Sequence, residues 1–174
     1  DLPELAFAGR SNVGKSSAIN ALVRRKRLAF VSKTPGRTQT INFFDLGGRG
    51  RLVDLPGYGF ARVPQAVRDQ WDLLVGGYLG SRRTLAGVVV LMDARHPFTP
   101  HDEHLLQWLR PVGRRLLVLL SKCDKLSRQD RAKALQGARE RLARRALEGE
   151  VRLFSSLSGE GVEETRALLD AWLR

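Results

Sequence analysis

The sequence predicts an α/β fold: a doubly wound, mostly parallel six-stranded sheet with one antiparallel strand. Three observations predict it. Apolar runs of strand length alternate with stretches of helical spacing along all 174 residues. Two of the runs, Val88 to Met92 and Leu116 to Leu120, are almost continuously apolar, as expected of central strands covered on both faces. A short connection, Gly47-Gly48-Arg49-Gly50, joins two further strand-like runs and demands one antiparallel hairpin. Alternation of this kind places helices on both faces of a parallel sheet.

The elements follow in order. Leu5 to Ala8 is a short apolar run that ends in a Gly-rich turn, and Lys15 to about Val23 has helical character. Ser32 to Thr40 is polar and contains Pro35-Gly36, which predicts a long mobile loop. Ile41 to Leu46 and Arg51 to Leu55 are the two strands of the hairpin, and Pro56-Gly57-Tyr58-Gly59 breaks the chain again. Gln65 to about Leu79 reads as a helix, and His101 to Leu109 as another that starts after Pro100. Arg128 to Leu147 is a long basic helix with Leu135, Ala138, Leu142 and Ala146 on one face. Val151 to Phe154 is the last strand and Val162 to Leu173 the last helix. No repeat, low-complexity tract or interdomain linker interrupts the pattern, so residues 1–174 read as a single domain.

Composition narrows the function classes. A hydrophobic fraction of 43% and a charged fraction of 28% are ordinary for a globular chain. The net charge of +12 is not, and it favours a polyanionic partner, nucleic acid or an anionic membrane surface. The lone Cys123 excludes an internal disulfide framework and suits a reducing, cytoplasmic setting. Leu85 to Met92 is the longest clear apolar run, far short of a membrane span, and no signal peptide is visible.

The chemistry starts at Gly9-Arg10-Ser11-Asn12-Val13-Gly14-Lys15-Ser16, a complete phosphate-binding loop between a strand and a helix. Gly9 and Gly14 allow the backbone to wrap around phosphate oxygens, with successive amides pointing inward at a helix start. Lys15 can reach the β- and γ-phosphates, and the Ser16 hydroxyl is placed to ligate Mg²⁺. Asp54-Leu55-Pro56-Gly57 follows an apolar strand. Its carboxylate can hold a magnesium shell through water, and the Gly57 amide can meet a γ-phosphate. Lys15 and Gly57 are thus candidate catalytic groups.

A phosphate loop does not distinguish ATP from GTP. Ser121-Lys122-Cys123-Asp124, directly after an apolar strand, does. A carboxylate at Asp124 accepts from both N1–H and the 2-amino group of guanine, neither of which adenine offers. Lys122 can lay its aliphatic stem across a purine face. Phe154 ends the last strand and Ser155 and Ser156 follow it, where a backbone amide can meet guanine O6. Ligands of such folds bind at the carboxyl ends of the strands.

These residues resemble the TRAFAC-class small GTPases, and within them the EngB (YihA/YsxC) family of bacterial GTPases, over almost the whole chain. The specific similarity lies in Pro3 to Ser17, Ser32 to Phe44, Asp54 to Ala61 and Asp93-Ala94-Arg95-His96-Pro97. The resemblance implies a small Ras-like P-loop domain that hydrolyses GTP to GDP as a switch in large ribosomal subunit assembly. It implies a link to cell division and septation, a cytoplasmic monomer, and a partner in the large subunit or its precursor. Thr38 becomes by resemblance the mobile-loop magnesium ligand and a catalytic group, and Gly36, Arg37, Gln39 and Thr40 flank the nucleotide. Asn12 stands where related GTPases coordinate potassium. Ser121 departs from the usual Asn or Thr, and the family's short N-terminal extension is not among these residues.

Other features of the sequence have plainer explanations beside the functional ones. Tyr58 stands where Ras-like enzymes place a water-orienting Gln, which predicts slow unaided hydrolysis. His96, His101 and His104 with Asp102 and Glu103 have no standard zinc spacing. Arg24-Arg25-Lys26-Arg27 suits either a helix C-terminal dipole or an RNA phosphate contact. Arg82-Arg83, Arg114-Arg115 and Arg144-Arg145 read mostly as solvated faces, and Trp71, Trp108 and Trp172 as core edges. Two other functions compete: an RNA-binding module that uses GTP only as a conformational ligand, and an ATP-using P-loop enzyme such as a small kinase.

Overall fold

The computed structural model describes residues 1–10, 12–23, 40–58 and 64–174, and the backbone of 30–33. One sheet runs through them in the order β2-β3-β4-β1-β5-β6-β7. The strands are β1 (Glu4–Gly9), β2 (Phe30–Lys33), β3 (Asn42–Asp45), β4 (Arg51–Asp54), β5 (Leu85–Asp93), β6 (Arg115–Ser121) and β7 (Glu150–Leu153). The helices are α1 (Lys15–Val23), α2 (Gln65–Ser81), α3 (Pro100–Leu109), α4 (Arg128–Arg144) and α5 (Val162–Trp172).

The expected six strands are all present. β3 alone runs against the others: it is antiparallel to both β4 and β2, while β4, β1, β5, β6 and β7 are mutually parallel. One difference is a short seventh strand at the edge. Ser32 and Lys33, expected in a loop, belong to β2 and pair with Phe43 and Asn42. Local polarity pointed to a loop, but an edge strand needs only backbone partners, which the hairpin supplies.

Residues alternate along each strand between two cores, which is why the fold needs helices on both faces. Leu5, Phe7, Val89, Leu91, Leu117 and Leu119 pack towards α1 and α5. Ala6, Ala8, Val88, Val90, Val118 and Leu120 pack towards α2, α3 and α4. The glycine at position 87 admits the Trp172 ring, which lies 2.4 Å from where a Cβ would stand. Trp71 and Trp172 are buried and Trp108 packs half-buried on the core, as core edges do.

Helix α4 is shorter than its composition suggests. It ends at Arg144, and Ala146 lies beyond it at φ 55°, exposed rather than on the apolar face. The Leu147 amide donates to the Leu142 carbonyl and the Ala146 amide to that of Ala143, both at 3.1 Å. This is a Schellman closure with alanine where glycine is usual, and it turns Leu147 back onto the core. Helix α3 begins one residue earlier than expected, with Thr99 as N-cap and Pro100 in the first turn. Its capping box, Thr99 with Asp102, was visible in the sequence as Thr-x-x-Asp.

Candidate functional site

The sheet changes direction at β1: the chain steps from β1 to β4 on one side and then to β5 on the other. The crevice at such a reversal is where α/β sheets take ligands. The loop Gly9 to Lys15 lies there, apart from Ser11, which is outside the described residues.

The loop is held by packing and backbone contacts. A Cβ on Gly9 would stand 2.9 Å from Val13 Cγ1 and 3.1 Å from the Leu91 carbonyl oxygen, so only glycine fits. Gly14 adopts φ 93° and Asn12 φ 64°, left-handed conformations that turn the chain into α1. The Val13 amide donates to the Arg10 carbonyl at 3.3 Å, and Ala18 begins the helical ladder with a bond to Gly14. Val13 is buried beneath the loop, while the Ser16 and Asn12 side chains are exposed. The result is a glycine cradle at a helix N-terminus, suited to phosphate.

Asp54 ends β4 next to β1, and Lys15 forms an ion pair with it. A cation suited to phosphate and a carboxylate suited to a metal's water shell are therefore adjacent. With the Ser16 hydroxyl, Asp54 makes a set of hard oxygen donors of the kind Mg²⁺ prefers. The Leu55 amide donates to the Phe7 carbonyl at 3.0 Å, Leu55 is fully buried, and the Pro56 carbonyl accepts from Trp71 Nε1 at 2.9 Å. These contacts lead the chain past Gly57 to Tyr58, which bridges to Arg10 as a short parallel pair.

The Tyr58 hydroxyl reaches across to α3. The side chain is buried, packs edge-to-face on Trp71 and donates its hydroxyl to Asp102 Oδ1 at 2.8 Å. Burial, reinforced by the Asp102 charge, pushes its phenol well up. Asp102 Oδ2 accepts from the Thr99 amide at 3.0 Å, so one buried carboxylate caps α3 and anchors the segment after Asp54. Glu103 pairs with Arg141 and Arg145, and His104 with Asp72, so the acidic and histidine cluster of the sequence is divided among separate contacts.

The second loop leaves β6. Ser121 is buried, and its hydroxyl lies 2.8 Å from the Val13 carbonyl oxygen and 3.2 Å from that of Met92. It therefore binds the phosphate loop to the sheet from below. Lys122 adopts φ 59°, and its Nζ donates to the Asn12 carbonyl at 2.8 Å, laying its stem over Gly14. Cys123 turns inward; burial, with the Glu160 carboxylate nearby, pushes its thiol up to about 11. Asp124 stays at the surface, and its Oδ1 accepts from Ser155 Oγ at 2.7 Å. That bond holds the carboxyl below the usual aspartate range, so Asp124 is an acceptor at neutral pH.

Ser155 joins the third loop to this one. Phe154 is buried and exchanges backbone bonds with Leu120 and Cys123, while Ser156 is exposed. Two residues the sequence reading missed fasten the pair of loops. Arg131 of α4 donates to the Cys123 and Leu126 carbonyls at 2.8 and 3.1 Å and to Glu160 at 2.9 Å. The Glu160 carbonyl in turn accepts from the Ser155 amide at 2.9 Å. The available signal was Ser127 as an N-cap, which places Arg131 one turn into α4, beneath the loop. Asp93 and Arg95 likewise form a bidentate pair beside Lys122.

Gly9, Arg10, Asn12, Val13, Gly14, Lys15, Ser16, Asp54 and Gly57 thus meet at one end of the sheet with Lys122, Asp124 and Ser155. Gly36, Arg37, Thr38 and Gln39 lie outside the described residues, as do Arg24 to Arg27; Thr40 is described and bonds to Asn42. Among the described residues no helix is long and apolar enough to cross a membrane.

Comparison with known proteins agrees with this geometry. The model of the 50S ribosome-binding GTPase family matches residues 4–122. A probable GTP-binding protein EngB of Thiobacillus denitrificans is 54% identical over 99% of this chain and 85% of its own length. That of Dechloromonas aromatica is 56% identical over 99% of this chain and 82% of its own. A crystal structure of a probable GTP-binding protein engB superposes with a TM-score of 0.76 at 23% identity, covering 98% of each chain. Era of Aquifex aeolicus bound to GDP·AlF₄⁻ shares the fold at TM-score 0.71 and 20% identity, over 98% of this chain and 56% of that one. By family model and by relatives alike, the chain belongs to the EngB family of GTP-binding GTPases.

Proposed function

We propose that residues 1–174 act as one G domain that binds GTP or GDP with Mg²⁺ and slowly hydrolyses GTP to GDP. The protein would serve as a cytoplasmic, monomeric switch in large ribosomal subunit assembly, coupled to cell division and septation. The observation that carries the reading is the direct fastening of the two loops. Ser121 to Val13 and Lys122 to Asn12 bind the phosphate cradle to the base-reading strand end, so phosphates and guanine are held at fixed separation.

In this reading the loop Gly9 to Ser16, Ser11 included, encloses the β-phosphate, Lys15 neutralises the β- and γ-phosphates, and Ser16 and Thr38 ligate Mg²⁺. Asp54 orients the metal's water, and the Gly57 amide holds the γ-phosphate in place. Bound Mg²⁺ supplies charge neutralisation on the phosphate oxygens. Asp124 reads guanine, Lys122 covers its face, and the Ser156 amide meets O6. Gly36, Arg37, Gln39 and Thr40 flank the nucleotide. Slow turnover follows from Tyr58, whose hydroxyl is bonded to Asp102 and offers nothing to an attacking water. Potassium held by Asn12 would add the missing charge, and hydrolysis faster in potassium than in sodium is the expected sign.

The ribosomal partner is supported by the description of the family and by the +12 charge. Sedimentation with purified large subunits, in GDP or a non-hydrolysable GTP analogue, tests it together with turnover. Tighter binding with the GTP analogue and faster hydrolysis on subunits are expected. Equal binding in both states would remove the switch. The burial of Tyr58 also favours a second reading, an RNA-binding module in which GTP only sets shape; turnover that stays negligible on subunits would select it.

A further inference from the structure

The pole of the sheet away from the nucleotide loops carries its own concentration of charge. Arg83 lies in the connection from α2 to β5, Arg110 and Arg114 in that from α3 to β6, and Arg115 at the start of β6. These connections enter the amino ends of parallel strands, so they sit opposite the loops that leave Gly9, Asp54 and Ser121. All four arginines are exposed, and among the described residues none pairs with a carboxylate. Arg82, by contrast, is held by Glu4.

The four residues line two adjoining grooves. One is walled by Gly76, Gly80, Arg83, Trp108 and Arg114; the other includes Arg110, Arg114, Arg115 and Glu148, and both share Val112 and Arg114. Glu150 also lines the second, but Arg152 neutralises it. Among the described residues, four cations therefore line the grooves against one unpaired carboxylate, Glu148.

Helix C-terminal dipoles explain a cation or two here, since α2 and α3 both end at this pole. They do not explain Gly80. That residue stands inside a helix, where glycine weakens the structure, and a Cβ there would meet nothing within 4 Å. Gly76 is explained by the Trp108 ring, 2.8 Å from where its Cβ would be. Bare helix backbone at Gly80, on the wall of an arginine-lined groove, suits a ligand that approaches closely and carries repeated negative charge.

We propose that this pole is an RNA-backbone contact surface, distinct from the nucleotide-dependent face. The proposal rests on the reading of the protein as an RNA-associated GTPase and adds a second contact to it. A concave groove suits a phosphodiester strand better than a flat bilayer. A membrane surface also calls for exposed apolar anchors, and the exposed large apolar residues, Leu73 and Leu157, line neither groove. Being remote from the strand ends that hold the nucleotide, the contact is indifferent to GTP or GDP.

The test uses the whole chain, with Arg83→Gln/Arg110→Gln, Arg114→Gln/Arg115→Gln and the combined quadruple variant. The probes are deproteinised large-subunit ribosomal RNA and vesicles with roughly one-third anionic lipid. Retained GDP affinity certifies folding, and the two paired variants stand in if the quadruple does not fold. Expected is a loss of RNA affinity of about tenfold or more, with the salt slope reduced by about 3 for the quadruple and half that for each pair. Gly80→Ala should raise the melting temperature and yet weaken RNA binding, which a purely structural glycine would not do. RNA affinity and slope unchanged in folded variants would overturn the surface while leaving the GTPase reading intact. Binding lost to vesicles but not to RNA would overturn it in favour of lipid. A parent chain that binds no RNA in either nucleotide state would overturn both this surface and the ribosomal partner.

Discussion

At the scale of single residues, the site depends on where each side chain is directed, and two aspartates show this. Asp124 is kept ionised and oriented by the Ser155 hydroxyl at 2.7 Å. Asp124→Asn replaces one acceptor oxygen by a donor, which suits the carbonyl of xanthine and opposes the 2-amino group of guanine. GDP should bind at least about 100-fold more weakly, with XDP preferred, because the site would then leave polar groups unpaired. Unchanged selectivity in nucleotide competition would refute the assignment. Asp102 has the opposite character: it is buried, and its partners are structural. Tyr58→Phe removes the 2.8 Å bond to it and should cost about 1–2 kcal/mol in urea unfolding. Unaided GTP hydrolysis should not change, since the hydroxyl is committed to Asp102; a tenfold fall would restore Tyr58 to the chemistry. Both settings were only half legible in advance. The motif located Asp124 by itself, but nothing local shows that position 58 turns inward, because that depends on Trp71 and Asp102 arriving from two distant helices.

At the scale of elements, helix ends and strand ends explain most of the deviations from expectation. α4 closes through Ala146 in a left-handed conformation, which costs an alanine about 1–2 kcal/mol relative to a relaxed residue. Ala146→Gly should therefore stabilise the protein by about 1 kcal/mol, and a loss of stability would contradict the closure. The opposite end of the fold is fastened by Glu4, buried at the start of β1, where Arg82 grips it with bonds of 2.7 to 3.1 Å and Tyr78 donates at 2.7 Å. Burial acts to raise this carboxyl, yet the bonds from Arg82 and Tyr78 hold it below the ordinary 4.5. A carboxyl with a lowered folded value stabilises the protein fully above 4.5, and that contribution disappears as pH falls through the folded value. Glu4→Gln should cost about 2 kcal/mol at neutral pH, after discounting for the partly exposed arginine. The difference from the parent should shrink as pH is lowered past 4.5, and a gap independent of pH would show that the charge is irrelevant. Neither feature was legible: an acidic residue opening an apolar strand gives no local sign of its distant arginine, and a Schellman closure without glycine lacks its usual mark.

At the scale of the whole molecule, the fold was legible because strand and helix periodicities repeat along the chain and the parallel order leaves few ways to connect them. The seventh strand was not, since an edge element takes its structure from its neighbour. The same topology sets the last prediction. β1, β4, β6 and β7 all deliver their carboxyl ends to one pole, and the loops that leave them are interlinked by Ser121 with Val13, Lys122 with Asn12, and Ser155 with Asp124. A guanine nucleotide that engages the loops after β1, β6 and β7 therefore ties distant parts of the sheet together and is bound only by the folded state. Linkage then requires GDP with Mg²⁺ at 100 times its dissociation constant to add about 2.7 kcal/mol. For a chain of this length that corresponds to a rise in melting temperature of roughly 5–10 °C. ADP at the same concentration should add nothing measurable, because Asp124 finds no donors on adenine. In Asp124→Asn the GDP contribution at that concentration should fall to about 0.4 kcal/mol or less and an XDP shift should appear, with the ligand-free melting temperature little changed because the Asn Oδ1 can still accept from Ser155. Gly9→Ala should instead lower the ligand-free melting temperature, as its Cβ would press on Val13 and the Leu91 carbonyl. Differential scanning fluorimetry on the three proteins with three nucleotides decides the matter. Equal shifts from ADP and GDP in the parent chain would mean that the phosphate loop binds without the base loops, and the coupled site described here would be wrong.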